Sequence, residues 1–295
     1  MHSPRPEQTR AYAYGLCAVL LWSTVASAFK LTLRGLEPVQ LLLEASCCST
    51  FALLIALAAQ RKLRRVRLRS GREVLLSAVA GLLNPFLYYL ILFEAYARLP
   101  GQEAQALNYT WALALALLSI PLLKQKIRPA SLGALFVSFS GVYVIATRGD
   151  VLSIHFTQPL GVSLALGSSI IWSLYWILNL RDPRDGLVKL FFGFVFGSLY
   201  TGIYVATRGL TVPLSWPYTL GAVYTGFFEM GFTFALWLSA LSLSATTARI
   251  ANLIFLAPFV SLILLHFVVG ETIFPSSIVG LALIVAGILM QRRFG

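Results

Sequence analysis

The sequence predicts an all-α integral membrane protein of ten transmembrane helices, laid out as two inverted five-helix repeats. Three observations carry the prediction. Of 295 residues, 58% are hydrophobic and 12% charged, against about 25% charged in soluble domains. Apolar runs of about 18 residues or more recur from end to end, each long enough to cross a hydrocarbon core of about 30 Å. The chain also comes in two similar halves, marked by Leu20-Leu21-Trp22-Ser23 and Ile170-Ile171-Trp172-Ser173.

The net charge of +12 is not spread evenly, since seven of the 23 basic residues lie between Arg61 and Arg72. Basic excess in short connections sets orientation rather than recruiting nucleic acid, though such a cluster also suits anionic headgroups. With both termini cytoplasmic, that segment falls on the cytoplasmic side. So do Arg5, Arg10, Lys124, Lys126, Arg128, Arg181, Arg184, Lys189, Arg292 and Arg293, with Lys30, Arg34, Arg98, Arg148 and Arg208 opposite. Cys17, Cys47 and Cys48 sit inside apolar runs, so no disulfide framework is expected. Arg5 and Arg10 precede the first run without a cleavage site, which predicts a retained helix rather than a signal peptide.

Hydropathy and the Gly, Pro and charged breaks delimit ten spans. The first five are Tyr12–Leu33, Pro38–Ala59, Glu73–Ala95, Gln102–Leu123 and Pro129–Thr147. The second five are Pro159–Leu180, Leu187–Thr207, Pro217–Ala240, Thr246–Phe267 and Pro275–Met290. This gives a tail (1–11), a first repeat (12–147), an extracytoplasmic linker (148–158), a second repeat (159–291) and a tail (292–295). Leu99 to Asn108 parallels Leu243 to Asn252. Pro129-Ala130-Ser131 with Gly133 parallels Pro275-Ser276-Ser277 with Gly280. Five is odd, so the second copy inserts upside down, the plan of many secondary transporters.

Counting inward from the span ends places Trp22, Asn84, Pro85, Trp111, Trp172, Glu229 and Pro258 near the bilayer centre. Tryptophan normally collects at the interface, so mid-span Trp reads either as bundle packing or as the lining of an aromatic cavity. Trp172, Tyr175 and Trp176 share a helix face, as do Asn84 with Tyr88 and Asn108 with Trp111. Asn beside a large ring suits a small amphipathic solute, and equally suits hydrogen bonding between helices. Pro85, with Gly81 one turn earlier, and Pro258 are candidate hinges. Glu229 is a costly charge at mid-span and so the candidate proton carrier, unless Arg249 neutralises it or meets a substrate carboxylate.

Catalysis finds little support. His2, His155 and His266, and Asp150, Asp182 and Asp185, fall in tails, loops or helix ends, and no hydrolase, phosphate-loop or metal-ligand motif is present. No catalytic residue, cofactor or metal is expected. The expected partners are a small amphipathic molecule, the lipid bilayer and, where Glu229 carries one, a proton, with no nucleic acid.

Ten spans in two halves, with Ala18–Ser23, Ser168–Ser173 and the stretch from Pro258 through Gly270-Glu271-Thr272 to Gly280–Gly287, resemble the drug/metabolite transporter superfamily and its EamA-type members. Asn108-Tyr109-Thr110-Trp111 is similar to the YddG group of aromatic amino acid exporters. The resemblance implies the drug/metabolite transporter fold. It also implies a bacterial inner-membrane location and export of aromatic and other amino acids or related metabolites by alternating access. The cavity would form mainly from spans 1, 3, 4, 6, 8 and 9, with Trp22, Asn84, Tyr88, Asn108, Tyr109, Trp111, Trp172, Tyr175, Trp176 and Asn252 binding substrate. Two departures stand out. Lys124-Gln125-Lys126 replaces a glutamate that Glu271 keeps in the second half. Ala112, in place of a proline after Trp111, removes the sequence reason for a bend in span four. Drug or nucleotide-sugar transport within the superfamily is one alternative, and a non-transporting lipid-handling protein or enzyme is another.

Overall fold

The computed structural model describes residues 5–124, 129–152, 158–212, 215–244, 250 and 252–294. Its helices in the first half are α1 (Arg5–Thr32), α2 (Pro38–Ala59), α3 (Gly71–Gly81), α4 (Tyr88–Arg98), α5 (Gly101–Asn108), α6 (Trp111–Leu123) and α7 (Pro129–Ala146). The second half carries α8 (Pro159–Arg181), α9 (Gly186–Thr207), α10 (Tyr218–Tyr224), α11 (Phe232–Leu243), α12 (Ala257–Leu264) and α13 (Pro275–Phe294). α1 begins at Arg5, ahead of the expected Tyr12, and α13 runs through most of the expected C-terminal tail.

Among the described residues, seven helical segments are long and apolar enough to cross a membrane. They are Glu7–Thr32, Pro38–Ala59, Gly71–Arg98, Gly101–Leu123, Pro159–Arg181, Gly186–Thr207 and Tyr218–Leu243, with shorter apolar helices at Phe136–Ala146, Ala257–Val269 and Pro275–Met290. The chain is a multi-pass membrane protein.

Local chemistry sets the helix ends. Pro38 opens α2 behind a capping box, with the Glu37 N–H donating to Gln40 Oε1 at 2.8 Å. Ser70 caps α3 by accepting from the Glu73 N–H, and the Glu73 carboxylate reaches back to the Arg69 N–H at 2.7 Å. Asp185 caps α9 by accepting from the Leu187 and Val188 N–H groups. α5 takes its cap from a distant residue. The Gly101 N–H donates to Glu271 Oε1 at 2.7 Å, while the Gln102 side chain holds the Thr272 carbonyl and the Phe274 N–H.

The chain forms two compact units, and these cut across the two expected repeats. The first is Met1–Phe86 with Pro183–Leu264, the second Leu87–Asp182 with Leu265–Gly295. In the first unit α1 packs on α10, α11 and α12, α2 on α9, and α3 on α9. In the second unit α8 packs on α4, α5 and α6, and α7 on α13. Small residues bring the backbones together. A Cβ on Gly141 would stand 2.5 Å from the Gly280 carbonyl oxygen, and one on Gly81 2.5 Å from that of Gly193.

Among the described residues, four of the expected spans are broken partway along. Between α3 and α4 a wide turn, Leu82–Leu87, contains Asn84 at φ −144°, ψ 121°, outside helical geometry. Between α10 and α11 lie the wide turn Thr225–Glu229 and then Met230-Gly231. α5 and α6 are separated at Tyr109-Thr110, and α12 is preceded by the tighter turn Asn252–Leu256. A break inside a span exposes backbone polar groups, tolerated only where protein or a wet cavity satisfies them.

Candidate functional site

Within the second unit, most of the singled-out aromatic and amide residues meet. The rings of Tyr88 and Trp172 stack at 4.6 Å between centroids and 29° between planes. Trp172 stacks on Tyr175 at 5.4 Å and meets Trp176 edge-on at 6.0 Å, so the face read from the spacing of α8 is an aromatic stack, with Tyr88, Trp172 and Tyr175 buried. Tyr88 arrives because the break at Asn84–Leu87 ends just before it, so it opens α4 against α8.

A polar line runs along the edge of this stack. Tyr88 Oη donates to Asn108 Oδ1 at 3.2 Å, and Asn108 Nδ2 donates to Ser168 Oγ at 2.9 Å. Thr110 Oγ1 lies 3.1 Å from Ser169 Oγ, and Ser173 Oγ donates to the Trp111 carbonyl at 2.8 Å. Ser168, Ser169 and Ser173 were not among the expected site residues. Ser169 and Ser173 stand one turn apart on the Trp172 helix with Ser168 beside them, and that spacing was the available signal. Asn108 itself is positioned from the far end of α5. There Glu271 caps the helix, and Arg148 Nε pairs with the buried Glu103 at 2.8 Å, its guanidinium lying over the Phe274 ring.

The break between Tyr109 and Thr110 is a correction to the sequence reading. Ala112 removes the proline that would explain a bend, yet α5 ends at Asn108 and α6 begins at Trp111. The Thr110 N–H pairs with the Leu107 carbonyl, and Thr110 Oγ1 bonds that same carbonyl at 2.7 Å, so a tightened, side-chain-capped turn does the work of proline. Tyr109 and Trp111, on either side of it, are part-exposed.

The first unit holds a parallel but different cluster. Trp22 on α1 meets Phe234 edge-on at 5.6 Å and Trp237 at 5.3 Å, both on α11. Thr24 Oγ1 lies 2.6 Å from Tyr224 Oη on the other side of the span-eight break. Phe234 and Trp237 were missed, because in so largely apolar a helix nothing marks two aromatic residues as partners of Trp22. Asn84 is completely buried, and neither its Nδ2 nor its Oδ1 makes a hydrogen bond. Its extended backbone also corrects the expectation that Asn84 and Tyr88 share a helix face, since helical spacing does not carry across the break. Pro85 and Pro258 are buried, and Glu229 closes the wide turn Thr225–Glu229 with its Oε2 buried. Arg249 and the side chain of Asn252 lie outside the described residues. Among the described residues no group of His, Cys, Asp or Glu could hold a metal ion.

Known proteins match the chain along most of its length. The model of the EamA-like transporter family matches twice, over residues 9–147 and 159–292. A protein named aromatic amino acid exporter YddG, from Ancylobacter novellus, is 27% identical over 241 residues, covering 78% of this chain and 79% of that protein. An uncharacterized transporter of Clostridium kluyveri is 23% identical over 291 residues, covering 96% and 93%. A solved crystal structure superposes with a TM-score of 0.65 at 24% identity, covering 97% of this chain and 98% of the other. Two family matches that together span nearly the whole chain, over a membrane-embedded helical fold, settle its kinship: the chain belongs to the EamA-like transporter family.

Proposed function

We propose that this transporter exports aromatic and other amino acids, or related small metabolites, across the bacterial inner membrane by alternating access. Both termini are cytoplasmic, and the ten spans form two inverted five-helix repeats. The observation that carries the reading is the Tyr88–Trp172–Tyr175 stack with Asn108 hydrogen-bonded at its edge. A flat apolar surface beside an amide fits a solute with a planar side chain and a polar head. In this reading Trp111, Trp172, Tyr175, Trp176, Tyr88 and Tyr109 hold the side chain. Asn108 meets the amino and carboxylate groups, and Trp22, Asn84 and Asn252, which belong to the first unit, are further proposed substrate contacts. Pro85 and Pro258 act as hinges.

The repeat plan is supported by paired features. α1 packs on α10, α11 and α12 as α8 packs on α4, α5 and α6. Trp22 and Trp172 each meet aromatic residues just beyond a break in a partner span. Transporters commonly place broken helices at the substrate site.

Competitive counterflow in proteoliposomes with a panel of amino acids tests the substrate. The expected result is competition by phenylalanine, tyrosine and tryptophan, with Trp111→Ala losing phenylalanine transport about tenfold more than transport of a small polar amino acid. Equal loss for both reduces Trp111 to packing. Glu229 is the proposed proton carrier, with Arg249 its candidate counter-charge. An imposed pH gradient then drives uptake by the wild type and not by Glu229→Gln, and gradient-independent flux in both removes Glu229 from the mechanism.

A further inference from the structure

We infer that the connection between α2 and α3 is an anionic-lipid site, in which Arg61, Arg64, Arg67, Arg69 and Arg72 grip the phosphodiester headgroups of the adjoining leaflet. The cations of this connection divide into two sets. Lys62 Nζ and Arg65 Nη1 reach the same Asp185 carboxylate oxygen at 3.0 and 3.4 Å, and Arg184 Nη1 donates to Ser77 Oγ at 2.9 Å. The first two contacts fasten the strap to the start of α9, and the third ties the stretch just before α9 to α3. The other five arginines are exposed, and none forms an ion pair among the described residues. The Glu73 carboxylate accepts from the Arg69 backbone N–H at 2.7 Å and forms no ion pair among the described residues. Arg72 stands in the first turn of α3, where the helix dipole disfavours a cation, so local helix energetics do not account for it.

The arrangement selects a lipid surface over a soluble anion. The strap joins two helices long and apolar enough to cross a membrane, so it lies at the level of the headgroups. Its arginines are spread along the chain, at the turn of Arg61, in the short tight helix Leu63–Arg65, in the irregular stretch 66–70 and in the first turn of α3, and Leu63, Val66 and Leu68 alternate with them, Leu63 being 49% exposed. A row of planar forks interleaved with apolar side chains matches a row of phosphates above acyl chains. The pinned pair holds the strap in place, and the five unpaired arginines supply the attraction.

Native mass spectrometry of the full chain, taken from vesicles of phosphatidylcholine mixed with phosphatidylglycerol, reads the retained lipid directly. Each juxtamembrane cation contributes about fivefold. The expected result is phosphatidylglycerol enriched in the wild type and in the fivefold Arg→Lys variant. In the fivefold Arg→Gln variant the enrichment falls by about tenfold or more. Equal enrichment in all three overturns the inference. So does displacement of the lipid by inorganic phosphate at matched ionic strength, which would assign the cluster to a soluble anion. Because the Arg→Gln variant also removes orientation charges, a salt titration of the wild type provides a second reading. Screening must abolish the enrichment, and salt-insensitive enrichment rejects the proposal.

Discussion

Asp185 shows how much one side chain can be asked to do at the end of a span. It caps α9 through the Leu187 and Val188 N–H groups and pairs with Lys62 at 3.0 Å. Burial works against its ionisation, but the Lys62 ammonium and the two backbone donors outweigh it and hold the carboxyl below its ordinary value. A depressed carboxyl contributes stability that is present above the unfolded-state pKa of about 3.9 and is lost as pH falls through the lower folded value. Asp185→Asn keeps the capping oxygen and removes only the charge. The wild type should therefore unfold at the higher temperature at neutral pH, by a margin of at most about 1 kcal/mol for a part-exposed pair. The two melting temperatures should converge below about pH 4. A gap that persists unchanged at pH 3 would place the effect in packing rather than charge. At this same scale the sequence was informative where chemistry was dense. The spacing of Trp172, Tyr175 and Trp176 announced a face that became a stack. The partners of Trp22 were silent, because Phe234 and Trp237 sit in a helix whose every residue is plausible lipid-facing or core material.

Between helices, close approach rests on glycine pairs. α7 and α13 meet where a Cβ on Gly280 would stand 2.7 Å from the Gly141 carbonyl oxygen, with the Ile145 side chain closer still. Backbone cannot yield as a flexible side-chain end can, so Gly280→Val must push the two helices apart. The expected cost is about 1–3 kcal/mol or more, measured as a lower melting temperature in detergent. Gly133→Ala on α7, the other helix of the pair, where a Cβ would meet nothing within 4 Å, should be close to neutral. Comparable loss for both would mean that helix propensity, and not the α7–α13 contact, is at stake. The apolar runs themselves were legible because hydropathy is summed over many residues. The breaks were legible only where proline wrote them, at Asn84-Pro85. At Tyr109-Thr110 and Thr225–Gly231 no proline is present. There Gly226 and Gly231 lie so close to Ala45, Cys48 and Ala52 of α2 that a Cβ on either would collide with it, so the path of the chain is dictated by a neighbour far away in sequence.

On the scale of the whole molecule, the sequence halves and the packing units are different objects. The family pattern matches once in residues 9–147 and once in 159–292, yet each compact unit draws helices from both. α1 and α2 find their main partners among α9 to α12, and α4, α5 and α6 find theirs in α8. No periodicity within a single chain encodes that exchange, since it depends on which helix buries which. The consequence is mechanical. A fragment ending in the 148–158 connection keeps α1 and α2 without α9, α10, α11 and α12, and keeps α4 to α7 without α8 and α13. Neither fragment contains a complete partner set, so neither should give a monodisperse, protease-resistant species when expressed alone. Expressed together they should reassemble into a particle of the intact size and recover a substantial share of wild-type transport, because every contact that builds the two units is again available. Size-exclusion chromatography and counterflow on the co-expressed pair check this. A half that folds stably on its own, as a monomer or as a dimer with itself, would show that the repeats and not the exchanged units are the structural bodies of this transporter.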